Sequence, residues 1–158
     1  MSLELNGRPD EAQRVLYHEA GHAVFAVRRR LLFEFAEVRE NDWGEVRCVG
    51  GPLDIKDRTF SQEEMACWRQ FYAAGAAAER LFYGEYREHG AQRDVTLHET
   101  LGLMSIPPRT DDWEESIQAA TKVIDRESVA KVAVALNERK KLTDEQVHDF
   151  LGCKPPWW

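Results

Sequence analysis

Two histidines four residues apart, His18 and His22, fall one turn apart on one side of any helix that carries them. Both imidazoles can then reach a single Zn2+. Glu19 stands next to the first, placed to take a proton from a water that the metal activates, which makes it the candidate general base. The run His18-Glu19-Ala20-Gly21-His22 is not a by-product of composition: with five histidines and eighteen glutamates in 158 residues, chance gives it ~0.02 times. A catalytic zinc takes three protein ligands and keeps a fourth position open for water. An H-x-x-G-x-x-H continuation would need glycine at position 25 and histidine at 28, where Phe25 and Arg28 stand. Glu37, Glu40 and Glu45 fall in a predicted hairpin and match poorly as a third ligand.

Two acids remain. Glu79 shares an apolar helical face with Tyr72, Gly75, Ala76, Phe82 and Tyr83, where a carboxylate is costly unless it is paired. It reads as a zinc ligand, as the acceptor for a ligating imidazole, or as a helix-surface acid at the edge of that face. Asp94 follows the stretch 88–93 and reads as a ligand or as a simple helix-start acid. Spacing alone does not separate the two.

The elements that must position these side chains follow from periodicity. Pro9, Asp10 and Glu11 suit a first turn. Leu16, Ala20, Ala23, Val24, Val27 and Leu31 then give one apolar face of a helix over about Pro9–Leu32. The basic run Arg28-Arg29-Arg30 reads as its solvated C-terminal end. From Phe33 to Gly50 the period changes to two around Asn41-Asp42-Trp43-Gly44, which predicts a hairpin. Ser61-Gln62-Glu63-Glu64 is a capping box opening a second long helix to Tyr83, with Gly84 as its stop. Tyr86–Arg93 reads as a loop and Asp94–Met104 as a third helix. Beyond Pro107-Pro108, helices are predicted from Thr110 or Asp111 to Ile124, over Glu127–Lys140, and from a cap at Thr143 to near Gly152. The fold class expected is mainly α (α+β): one domain over 1–158, with a metal-site core over 1–104, a small β-hairpin or sheet, and C-terminal helices over 110–152.

Composition bounds the possibilities. At 43% hydrophobic and 31% charged, with a net charge of −7, the chain belongs with globular proteins. Its acidic balance argues against nucleic acid as a partner, because phosphate neutralisation needs surplus Lys and Arg. Cys48, Cys67 and Cys153 form no C-x-x-C pair, which points to a reduced, cytoplasmic setting. Met1–Gly7 lacks the features of a signal peptide. The stretch Phe71–Ala78 is too short for a membrane span, which takes roughly 18 apolar residues. Trp157-Trp158, after Pro155-Pro156, reads as an aromatic end packing on the domain's own core, with docking against a neighbour as the alternative.

The segments His18-Glu19-Ala20-Gly21-His22-Ala23, Ala74-Gly75-Ala76-Ala77-Ala78-Glu79-Arg80-Leu81-Phe82-Tyr83-Gly84-Glu85 and Gly90-Ala91-Gln92-Arg93-Asp94-Val95 together resemble the peptidase domain of the FtsH family. The stretch Glu127–Leu151 is similar to that domain's closing helices. The resemblance implies a helical domain with a small sheet in which His18, His22 and Asp94 bind zinc and Glu19 is the base. It places Glu79 in the family's G-x-A-A-E segment, read as holding a ligating imidazole from behind. Departures are Arg93 before the aspartate where the family has Asn, Ala74 for the first glycine of a Gly-Gly pair, and Thr96-Leu97-His98 for a charged helix start. His98, one turn after Asp94, reads as a surface histidine, with competition for the metal or orientation of Asp94 as the other possibilities.

The expected function is zinc-dependent hydrolysis of peptides or unfolded protein by a metalloendopeptidase that is ATP-independent on its own. A peptide would lie along an edge of the hairpin near Val46, Cys48 and Gly50. The family joins this domain to an ATPase and a membrane anchor. No G-x-x-x-x-G-K-[ST] loop or membrane span occurs in this sequence, so a separate ATPase partner, or a homo-oligomer, is the expected company. The rival expectation is a peptidase-like binding or scaffold module with a structural or vestigial zinc site and no turnover.

Overall fold

The structure, a computed structural model, describes residues 9–154. The readings of Met1–Gly7 and of Trp157-Trp158 lie outside the described residues. After a single 3-10 turn at Glu11–Gln13, which Asp10 caps, the elements are α1 (Arg14–Arg28), β1 (Phe33–Arg39), β2 (Trp43–Cys48), α2 (Gln62–Tyr83) and α3 (Glu88–Met104). They continue with α4 (Trp113–Thr121), α5 (Arg126–Arg139), β3 (Lys141–Thr143) and α6 (Asp144–Phe150). The described residues are thus mainly helical, with one small antiparallel sheet in the order β2-β1-β3. No described helix is long and apolar enough to cross a membrane.

Helix α1 is the centre of the molecule. It packs against α2, α5, α6 and the sheet, and it is buried from Leu16 through Val27. A helix enclosed on all sides cannot send its polar residues to water, so Arg14, His18, Glu19 and His22 must find their partners inside. The helix is shorter than its apolar period suggests, because the backbone leaves helical geometry at Arg29 and turns at Arg30, with φ of 58°.

Helix α2 lies close against α1 because both are lined with small residues. A Cβ added to Gly21 would lie 2.5 Å from Ala78 Cβ and 2.6 Å from Ala74 O, so glycine sets the approach distance. The ends of α2 are specified locally. Glu64 N–H donates to Ser61 Oγ at 3.1 Å, and Ser61 N–H donates to Glu64 Oε2 at 2.7 Å. Gly84 then stops the helix in the left-handed conformation, with φ of 81°.

The hairpin turns on Asn41 and Asp42, both at positive φ, while Trp43 and Gly44 already belong to β2. Strand β1 is central, its Ala36 facing Val46 on one side and Leu142 on the other. The second pairing comes from β3, three residues that the helical reading of the C-terminal region passed over. Thr143 ends β3 and caps α6 at once, donating its N–H to Gln146 Oε1 at 2.9 Å and accepting from Gln146 N–H at 3.2 Å.

Helix α3 corrects a boundary. The expected loop at Tyr86–Arg93 is short, the helix starts at Glu88, and Asp94 sits in its second turn rather than opening it. The charged stretch Glu88-His89 masked this start, since α3 has no side-chain N-cap to announce it.

Candidate metal centre

α1 and α3 supply the side chains of one largely buried cluster, and α2 lies against it. His18 and His22 project from α1 toward α2, and Asp94 reaches them from α3. Their facing atoms converge: His18 Nε2 and Asp94 Oδ2 are 2.9 Å apart, His22 Nε2 and Asp94 Oδ2 3.2 Å, and the two Nε2 atoms 3.1 Å. These are the three residues whose donor atoms could hold a metal ion.

The far side of each ring explains why the Nε2 atoms meet there. His22 Nδ1 donates to the Phe71 carbonyl at 2.8 Å. A carbonyl only accepts, so Nδ1 carries a proton and Nε2 is the atom turned to the cluster. His18 Nδ1 donates to Glu79 Oε1 at 2.8 Å and turns its Nε2 the same way. Two imidazole Nε2 atoms and a carboxylate oxygen therefore share one small space, an arrangement that suits a proton or a metal cation between them. Burial disfavours the charged form of His18, yet the Asp94 and Glu79 carboxylates outweigh it and raise its pKa well above the ordinary value. Burial likewise opposes ionisation of Asp94, but His22 and His18 hold its carboxyl well below the usual carboxylate range. The pocket attracts positive charge.

The space is kept clear by one residue. A Cβ on Gly75 would lie 2.4 Å from His18 Nε2 and 2.5 Å from His22 Nε2. Any other residue at that point of α2 would fill the site. Two imidazoles and a carboxylate, with both imidazoles oriented from behind, fit a divalent metal with an open position.

Glu79 does not join this cluster. It is 0% exposed, not the helix-surface acid that was one reading of it, and both oxygens are committed. Oε1 takes His18, and Oε2 accepts from Arg14 Nε at 2.7 Å and from Arg87 N–H at 3.0 Å. Burial raises its pKa, but His18, Arg87 N–H and Arg14 together bring it below the ordinary value. Arg14 is itself held by Glu85 O at 2.7 Å and lies over the Tyr83 ring. It is a part of the site that sequence reasoning missed, although it stands four residues before His18 on the same face. The Phe71 carbonyl was invisible for a plainer reason: a backbone acceptor has no residue-type signature.

Glu19 is buried at 6% exposure and lines the same cleft as His18, His22 and Asp94. Burial raises its pKa, with His18 and His22 acting in the opposite direction. A carboxyl shifted upward is better matched to accepting a proton near neutral pH. The cleft has a volume of ≈ 580 Å3, with Val46, Cys48, Leu53, Tyr72, Arg93 and Leu97 on its walls. Its β2 wall is a sheet edge, since β2 pairs with β1 alone among the described residues.

His98 is not on the surface. It is 2% exposed, with Nε2 2.8 Å from Ser116 Oγ and its ring 5.1 Å from that of Trp113. It faces α4 and is not among the described residues that could together hold a metal ion. The three cysteines are free thiols.

No model of a known protein family matches the chain, and no curated protein matches its sequence.

Proposed function

We propose that this chain is a zinc metallopeptidase of the FtsH-peptidase type, hydrolysing peptides or already unfolded protein. The observation that carries the reading is the convergence of His18 Nε2, His22 Nε2 and Asp94 Oδ2 beside a buried Glu19 in an open cleft. His18, His22 and Asp94 would hold the zinc. When bound, zinc supplies a Lewis acid that activates water and polarises a carbonyl. Glu19 accepts the proton of the attacking water and passes it to the leaving amine. Glu79, fixed by Arg14, keeps the His18 ring in the tautomer that leaves Nε2 free to ligate, and the Phe71 carbonyl does the same for His22.

An extended peptide would add to the free edge of β2, its main chain taking the hydrogen bonds that the strand leaves unused. Val46 and Cys48 then contact alternate side chains. Such docking accepts an unfolded chain and excludes a folded one, so the substrate is a peptide or a protein unfolded by a separate ATPase partner. The free thiols favour a reducing, cytoplasmic setting.

The test is Glu19→Gln, assayed on casein and on a mixed peptide library with zinc content measured in parallel. Cleavage should fall by about 10²–10⁴-fold while zinc remains bound. Unchanged turnover sinks the assignment, and zinc binding without turnover in the unmodified protein would favour a scaffold module.

A further inference from the structure

Glu19 is placed by the sheet as well as by its own helix. A Cβ added to Gly44 would lie 2.4 Å from Glu19 Cγ, 2.8 Å from Cδ and 2.7 Å from Oε1. Moving Cγ and Cδ means changing the rotamer of an enclosed side chain, not swinging a free tip. The backbone does not ask for glycine here. Gly44 lies inside β2 opposite Val38, and the left-handed conformations of the hairpin fall on Asn41 and Asp42. A glycine paired within a strand, and not at positive φ, marks a close approach, and what approaches is the candidate base.

The same end of the hairpin is tethered to the metal centre. Asp42 Oδ2 lies 3.6 Å from Arg87 Nη1, and Arg87 N–H donates to Glu79 Oε2 at 3.0 Å. Glu79 in turn holds His18. The start of β2 thereby lies next to the residue whose backbone N–H holds Glu79.

We infer that Gly44 is the positioning residue for Glu19: its missing side chain lets β2 close on the Glu19 stem and seat the carboxylate at the cleft wall shared with His18, His22 and Asp94. This rests on the proposed role of Glu19 and deepens it. The hairpin that would receive the peptide also fixes the base that acts on it, so one element sets the distance between substrate and base. Larger residues at position 44 would turn the carboxylate away without touching a metal ligand.

The experiment is a double-mutant cycle on the full chain, comparing Gly44→Ala, Glu19→Ala and the pair. Gly44→Ala alone should lower the thermal midpoint by about 5 °C, and the drop should shrink to roughly 1 °C when Glu19 is already alanine, because the added methyl then has room. Equal drops in both backgrounds overturn the inference. Should Gly44→Ala be too unstable to purify, its recovery in the Glu19→Ala background carries the same support, and failure in both backgrounds overturns it. On peptide substrate, Gly44→Ala should lower kcat about 10–100-fold with KM and zinc content unchanged. An unchanged kcat overturns the positioning role. Thermal coupling without any turnover by the unmodified protein overturns the peptidase reading and supports the seating of Glu19 by Gly44.

Discussion

Asp94 and His98 stand one turn apart on α3, and they live in opposite kinds of surroundings. Asp94 meets two imidazoles whose Nδ1 atoms are already used, so both Nε2 atoms turn to its carboxylate. His98 meets a serine hydroxyl, which can complete a hydrogen bond, and the edge of a tryptophan. Burial and the nearby Arg69 cation push its pKa down to about 4, against a smaller opposing pull from Asp112, so it remains neutral where Asp94 and His18 gather charge. A buried histidine is therefore a candidate ligand or a packing residue according to what its Nε2 faces, and burial alone does not distinguish the two.

That contrast can be broken in several ways. The largest effect should come from Asp94→Ala, which removes the only carboxylate of the cluster. Metal analysis should find the variant without zinc, whereas His98→Ala should retain it. Loss of zinc from His98→Ala would erase the difference between the two sites. Next, Glu79→Gln should weaken zinc binding about 10–100-fold in a competitive chelator titration, because it disturbs the His18 tautomer while leaving every ligand in place. Unchanged affinity would reduce Glu79 to a structural anchor for Arg14.

On the packing side, His98→Ala should cost about 2–4 kcal/mol of stability in denaturant unfolding, since it leaves a void between α3 and α4 and an unpaired Ser116. A cost near zero would mean that α4 is not held there. The smallest effect concerns pH. Above the ordinary histidine pKa of 6.5, the ring is neutral whether folded or unfolded. As pH falls below 6.5, the unfolded ring takes a proton that the folded ring refuses until about pH 4. His98 therefore withdraws stability as pH falls through that window, by at most about 3 kcal/mol in all. His98→Phe should flatten this part of the stability curve, and an unaltered slope would show that His98 is not a buried neutral ring.

The legible parts of the molecule were those encoded by local chemistry. The capping box at Ser61–Glu64, the stop at Gly84 and the cap at Thr143 each depend on a few neighbouring residues, and each appears where the sequence places it. The start of α3 was not legible, because Arg87 offers no capping side chain there. Strand β3 is three residues long, too short for periodicity to register, and it exists because the edge of β1 is within reach. The burial of His98 depends on where α4 lies, which no pattern within α3 reports.

For the site, the sequence alone determined that His18 and His22 share a helix face with Glu19 adjacent, since an α-helix repeats every 3.6 residues whatever surrounds it. It could not rank Glu79 against Asp94 by spacing, because both distances run through folded chain. Tertiary structure decided that Asp94 meets the imidazole Nε2 atoms and Glu79 an Nδ1 atom behind them. It also decided which glycines matter. Gly75 clears the space between the rings and Gly44 admits Glu19, and both depend on the approach of one element to another, a distance that no single segment contains.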